Sequence, residues 1–516
     1  MKKLAKLLSL VLSLCLVLSA FSFASAEGEK YEVDKIRVGV ASLPGNMDPT
    51  IGVGNATIRL HYNIYETLIY ADQDNGYALS PMLATGWERV DDYTLRVTLR
   101  DDVTWHNGDK FTSKDVKFSF ERFQRDDIDG ISLAKSLMNT IDHVDIIDDY
   151  TCDIVTNCTD PLLETRLSSN WGAWILPCDY MSSVTSDEFT LAPVGTGPYK
   201  VVEVSPEKVV MERYDGYWGE KAYIKNLEYF LYAEVSTRIT ALLTGECDVI
   251  AQIPVDQVAT VGASKGVKVI TSPIENMHLV QFYISENTVD TIIGNKTFRQ
   301  ALSYAVDRQL LSDAFWGGAA IVPKGHQYLS YGEEYFDDYP SENEHYDLEK
   351  AKELLAESGY NGEEIVYELK SGYYTFGNEV AEAIVDMWKQ IGVNARVEYK
   401  DKNDDATMVR NWSNSMRFPD HAGGLWLLWG SKVKDWVNMP EEFKAAGAVL
   451  VSSMDQEERM AAARTLMDIF EDEVPAILFY YPSENWGVRD GLEWHPYSSQ
   501  TMNFRAEGFW ATEPQD

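Results

Sequence analysis

Cysteine, histidine and positive charge are all scarce in this chain. Its 516 residues include five cysteines, eight histidines, and 45 lysines and arginines against 81 aspartates and glutamates, for a net charge of −36. A surface that acidic repels phosphate backbones and anionic lipid head groups, which makes nucleic acid and membrane surfaces poor partners, and none is expected. No Cys-x-x-Cys occurs, so thiol redox catalysis has no motif. The histidines (His61, His106, His143, His278, His326, His345, His421 and His495) include no pair four apart, so none places two ligands on one helix face. No metal ligand and no cofactor is assigned.

Long apolar runs are also missing. The longest, Leu7 to Leu18, falls short of the roughly 20 residues a membrane-spanning helix needs. It follows Lys2, Lys3 and Lys6 and precedes Ala24-Ser25-Ala26, the layout of an export signal cleaved after Ala26. Cys15 is preceded by Leu14 where a lipoprotein signal needs a small residue, so no lipid anchor is expected and the periplasm is the expected compartment. Four cysteines then remain. Cys152 and Cys158 end a strand-like segment that holds them roughly 20 Å apart, too far to bridge. Cys158 with Cys178 is the pair to test; buried free thiols are the alternative.

Hydrophobic residues make up 45% of the chain, far from a disordered composition, and no low-complexity linker or repeat divides it. At roughly 150 residues per domain the length suits three domains or one large bilobed unit. Strand and helix patterns alternate. Thr94 to Arg100 places Leu95, Val97 and Leu99 on one face of a strand, as one arm of a hairpin. Thr112 and Asp115 stand at capping-box spacing before a helix. Residues 236–271 read as helix, strand, helix, strand, with Gly245 ending the first helix and Pro254 opening the second. Further helices carry Phe298, Ala301, Leu302 and Ala305 on one face, and Ala351, Leu354 and Leu355 between Asp347 and Gly359. This is α/β material.

Catalytic motifs do not materialise. Gly262 to Gly266 matches Gly-x-Ser-x-Gly, but it lies between helix and strand, the reverse of a nucleophile elbow. Asp72 to Gly76 has its glycine one position too early for an EF-hand loop, and Val194 to Tyr199 lacks the lysine of a phosphate loop, so both read as turns. With 81 carboxylates, a glycosidase pair cannot be judged from sequence, and a secreted hydrolase stays open as the alternative from another class.

Seven segments, in order, resemble one family. They are Asn63–Ile69 (NIYETLI), Pro81–Arg122, Gly195–Val201 (GTGPYKV), Tyr214–Gly219 (YDGYWG), Ala241–Ile250 (ALLTGECDVI), Phe298–Arg308 (FRQALSYAVDR) and Ala351–Tyr360 (AKELLAESGY). The chain is identified as a member of the extracytoplasmic solute-binding proteins of ATP-driven (ABC) importers, family 5, which carry peptides, nickel chelates, opines and oligosaccharides. The resemblance implies an α/β, bilobed periplasmic-binding-protein fold: two lobes joined by a two-segment hinge, with an extra subdomain in lobe one. Lobe one would hold residues 27–270 and 485–516, with the subdomain at about 60–190, and lobe two residues 271–484. It implies no enzymatic activity, a small solute or short peptide as ligand, an ABC permease as partner, and a monomer.

In peptide-binding members the segment corresponding to Asn411–Gly430 carries an aspartate that pairs with the peptide amino terminus. Asp420 is the nearest candidate, but Arg417 stands three residues before it. A buried arginine prefers a carboxylate or phosphate, which moves the expectation toward an anionic or zwitterionic solute. Oligosaccharides, opines and metal chelates remain alternatives. Tyr373 and Tyr374, in a strand-to-helix loop, and Trp412 and Phe418, flanked by polar residues, are the candidate aromatic contacts. Asn414 joins them in lobe two, and Asn46, in the loop after the first strand, in lobe one. Arg417 to His421 is expected to face the cleft, and Leu425 to Trp429 to belong to the core.

Overall fold

The computed structural model describes residues 29–514 except Gly52, Asn287, 401–407, 431–437 and Gln500. The export signal and its cleavage after Ala26 lie outside the described residues. Two sheets organise the chain. The first has seven strands in the order Val267–Pro273, Ser483–Arg489, Val249–Ile250, Val33–Val40, Ile224–Leu231, Lys208–Arg213 and Tyr199–Val204. The second has five, in the order Ala395–Tyr399, Ile365–Leu369, Val409–Ser415, Asn276–Phe282 and Ala476–Tyr480. Strand Val33–Val40 runs parallel to both neighbours, Val38 lying opposite Tyr229 and Val249. Its sequence, apolar nearly throughout its second half, suits burial on both faces.

The chain leaves the first sheet at Pro273 and enters the second at Asn276; it leaves the second at Tyr480 and re-enters the first at Ser483. These two passages lie side by side, with the Ile274 N–H donating to the Pro482 carbonyl at 2.9 Å. The result is the bilobed α/β arrangement joined by two extended segments. Strand Asn276–Phe282 is buried at all seven positions although its sequence, NMHLVQF, is half polar. It sits between two antiparallel neighbours, and Asn276 and His278 reach the edge of the cleft at its start.

The extra subdomain carries a four-stranded antiparallel sheet, in the order Ala84–Asp91, Thr94–Leu99, Thr151–Thr156 and Ile141–Asp148. Leu95, Val97 and Leu99 are buried beneath helix Ser113–Phe123 with Val116 and Phe120. That helix begins with the capping box of Thr112 and Asp115. Gly245 adopts φ +78° after helix Val235–Leu243, Pro254 is the N-cap of helix Val255–Gly262, and Asp347 caps helix Leu348–Glu357. Gly262 and Gly266 bracket a helix-to-strand turn, the wrong geometry for a nucleophile elbow.

One pairing left open is answered, and one local expectation is corrected. The Cys158–Cys178 bridge is not formed: Cys152, Cys158, Cys178 and Cys247 are all free thiols. Cys158 is exposed beyond the end of strand Thr151–Thr156, whereas Cys178 opens a separate short helix and its N–H is held by the Asp115 carboxylate at 2.8 Å. Gly195 and Gly197 are required by close approach and not by turn conformation. Neither has positive φ, and a Cβ on Gly195 would lie 2.0 Å from the Ile64 carbonyl oxygen. Gly197 donates its N–H to that same oxygen at 2.9 Å. Gly195→Ala is therefore expected to destabilise the protein by about 1–3 kcal/mol, seen as a lower urea midpoint at unchanged slope.

Candidate ligand-binding site

Two recesses open between the sheets. The larger, of about 410 Å³, lies in the size range of small-molecule sites. The loop after the first strand contributes Ser42 and Pro44, and helix Asn55–His61 contributes Thr57 and Arg59. Asn276 and His278 come from the second sheet, Tyr373 and Tyr374 from the loop after strand Ile365–Leu369, and Glu484 and Asn485 from the returning hinge strand. Arg59 Nη2 lies 2.8 Å from Glu484 Oε2, and both side chains are buried. The guanidinium also stacks over Trp486. This pair ties the first helix to the hinge and leaves the recess without net charge from either partner. Burial pushes the His278 imidazole down to about 3, so it is a neutral group at physiological pH.

The smaller recess, of about 40 Å³, has room for one small polar group. Ile58 lines it from helix Asn55–His61, Gln73 and Tyr77 from the turn after strand Ile69–Asp72, Ser169 and Trp171 from the loop after helix Leu163–Arg166, and Arg417 and Phe418 from the loop after strand Val409–Ser415. The Arg417 guanidinium lies flat over Trp171, 3.9 Å from the ring centre. Its Nε and Nη1 are buried without a hydrogen-bond partner, and among the described residues its side chain forms no ion pair. Burial pulls it down to about 10, so it stays protonated at neutral pH. The Ser169 hydroxyl donates to the Arg417 carbonyl at 2.5 Å, and Arg166 sits over the Phe418 ring, so the two lobes touch here. An unpartnered buried cation flanked by hydroxyls and an aromatic face is suited to a carboxylate or other anion.

The sequence-selected residues divide. Tyr373 and Tyr374 line the larger recess; the Tyr374 ring is tilted against His278, 4.6 Å between centroids, and its hydroxyl donates to the Ser413 hydroxyl at 2.9 Å. Arg417 and Phe418 line the smaller one. The other four belong to neither lining. Asn46 is used within its own turn, its carboxamide oxygen accepting from the Asp48 N–H at 2.7 Å and the Thr190 hydroxyl at 2.9 Å. Trp412 packs edge-on against Trp429. Asn414 is buried, with Oδ1 accepting from Trp429 Nε1 at 2.9 Å and lying 3.1 Å from His326 Nε2. Asp420 forms a buried ion pair with Arg459 and accepts from the Ala422 N–H, so its charge is already matched. Sequence reasoning missed Arg59, Trp171, His278 and Glu484, which come from four segments distant in the chain.

One titrating group sits in the hinge itself. Glu275, between the two sheets, accepts from the Ser330 N–H at 2.9 Å and from the Ser330 hydroxyl. Burial raises it to about 7, in spite of those two hydrogen bonds, and the Tyr77, Tyr328, Tyr331 and Tyr481 phenols surround it. Glu334 is raised to about 7 as well, by burial and then by Asp420. Because the folded state holds these protons more tightly than the unfolded chain does, their contribution is complete below pH ~4.5 and is lost as pH rises through ~7. Glu275→Gln is expected to reduce the loss of stability between pH 5 and pH 8, measured by urea unfolding at both values.

The model of the bacterial extracellular solute-binding proteins, family 5 (middle region), matches residues 78–436. The chain is 25% identical over 440 residues to the dipeptide-binding protein of Escherichia coli K12, covering 77% of this chain and 80% of that protein. Among solved structures it is similar to the periplasmic binding protein DppA of Helicobacter pylori in complex with the peptide STSA. That match has a TM-score of 0.81 at 21% identity and covers 94% and 99% of the two chains. It is also similar to AgaA of A. tumefaciens R10 in complex with agropinic acid, at a TM-score of 0.78 and 20% identity over 93% and 99% of the chains. With the family model spanning well over half of its length on a bilobed α/β fold, the chain belongs to the bacterial extracellular solute-binding proteins, family 5.

Proposed function

We propose that the protein captures a small anionic or zwitterionic solute, a short peptide or a related acid, between its lobes and hands it unchanged to the permease of an ABC importer. It acts as a monomer in the periplasm after cleavage at Ala26. Lobe one runs to Pro273 and resumes at Ser483, with lobe two between them, so the boundaries expected at 270 and 485 move by two to three residues. The relatives bind different ligands by their names, so the ligand class has to come from the site itself. The observation that carries it is Arg417, a buried guanidinium with two unpartnered nitrogens where three parts of the chain meet.

That geometry couples binding to closure. Closing the lobes takes the Arg417 charge out of water, and an uncompensated buried ion costs several kcal/mol. An anion delivered to the recess offsets this cost only in the closed form, so it shifts the population toward closure. A differential of about 5.5 kcal/mol moves such an equilibrium from 1:99 to 99:1, a size that one desolvated ion pair can supply. The uncharged larger recess, with Tyr373, Tyr374 and Asn276, offers aromatic and amide contacts to a second group. A neutral sugar would leave Arg417 uncompensated and is disfavoured.

The test is a thermal-shift screen of the mature protein against dipeptides, opine-like acids, oligosaccharides and nickel chelates, with mass analysis of each hit after overnight incubation. An acid at 100-fold over its dissociation constant should stabilise the protein by about 2.7 kcal/mol and be recovered intact. Recovery of a cleaved ligand would establish a hydrolase instead.

A further inference from the structure

Glu342, His345 and Glu471 meet in the second lobe beside a cavity of about 280 Å³, whose lining shares no residue with either cleft recess. Glu342 and His345 begin and end the single turn Glu342–His345, and Glu471 lies in the last turn of the long helix Gln456–Glu473. His345 Nδ1 is 3.7 Å from Glu342 Oε2 and 3.5 Å from Glu471 Oε2. Both separations exceed a normal hydrogen bond. They are close to the roughly 3.4 Å between ligand atoms that each stand ~2.1 Å from a tetrahedral zinc ion.

A second observation points the same way. Glu342 is 2% exposed and lines the cavity, yet its Oε1 has no hydrogen-bond partner, and neither does Oε1 of Glu471. Arg308 Nη2, 3.3 Å from Glu342 Oε2, is the neighbouring cation. Its other hydrogen bonds go to the carbonyls of Leu478, Ser303 and Val306 and to the Ser303 hydroxyl. Arg308 is thus the cation that matches Glu342, while burial and the Glu342 charge push Glu471 well above the usual carboxylate range. The His345 and Glu471 side chains are 27% and 19% exposed, which gives an ion a way in.

We propose that Glu342, His345 and Glu471 hold a divalent transition-metal ion that clamps the turn to the long helix. One imidazole with two carboxylates fits Zn²⁺. Histidine spacing gave no sign of it because the site uses a single imidazole, and its third ligand lies far along the chain.

The experiment is a calorimetric titration of the chelator-stripped mature protein with Zn²⁺ alone at pH 7, beside His345→Ala and Glu471→Gln. Wild type should bind one equivalent and unfold at a higher temperature with Zn²⁺, while each variant should bind about 100-fold more weakly and lose the shift. Because His345 is partly exposed, its alanine variant is expected to fold, which circular dichroism checks. No saturable binding below millimolar Zn²⁺ would overturn the proposal. So would equal binding by all three proteins, which would place the ion on other surface carboxylates or thiols.

Discussion

Arg417→Ala is expected to lower affinity for the acidic ligand by 100-fold or more without lowering the stability of the ligand-free protein. Truncating one partner of a buried, hydrogen-bonded charge pair costs about 2–5 kcal/mol, and 2.7 kcal/mol corresponds to roughly 100-fold. In the absence of ligand the open lobes leave the guanidinium in water, and among the described residues it forms no ion pair, so its removal breaks no charge pair. The variant's own unfolding midpoint should match or exceed that of wild type, while the midpoint shift on adding ligand disappears. Calorimetric titration and thermal unfolding together separate the two effects. A variant that loses stability but keeps affinity would show Arg417 to be a structural residue.

Asp420→Asn should show the opposite pattern. Asp420 and Arg459 are paired with side-chain exposures of 3% and 7%, so neutralising the carboxylate strands a buried guanidinium. Breaking such a pair from one side costs about 3–5 kcal/mol. Arg459 keeps bonds to the Leu450 carbonyl and the Gln456 side chain, and Glu334 lies 3.9 Å away, so the lower end of that range is expected. The variant should unfold at clearly lower urea and, while folded, bind ligand with little change. Unchanged stability with lost binding of peptides would restore Asp420 as the partner of a peptide amino terminus.

The contrast between these two residues shows what could be read from the chain alone. Features set within one or two turns were readable. The capping box at Thr112 and Asp115, the alternation at Leu95, Val97 and Leu99, and the left-handed Gly245 depend on neighbours a few residues away. Tyr373 and Tyr374 were readable because a strand-to-helix loop at the end of a sheet opens toward the cleft whatever its partners are. Partner choice was not readable. Asp420 stands three residues from Arg417 yet pairs with Arg459, 39 residues on. Asn414 looked like a cleft amide in a polar strand, but His326 and Trp429 enclose it. The Arg417 recess draws on Ile58, Tyr77, Trp171 and Thr501, which no local pattern connects. Gly195 read as a turn glycine, because the Ile64 carbonyl that requires it is 131 residues earlier in the chain and becomes its neighbour only through the fold.

The most direct test is a double-mutant cycle across the ion pair. The acid found in the screen and its uncharged amide would be titrated calorimetrically against wild type and Arg417→Ala. Pairing of Arg417 with the ligand's anionic group predicts that the amide binds wild type about 100-fold more weakly than the acid, and that both bind the variant equally. Equal binding of acid and amide by wild type would contradict anion recognition at Arg417.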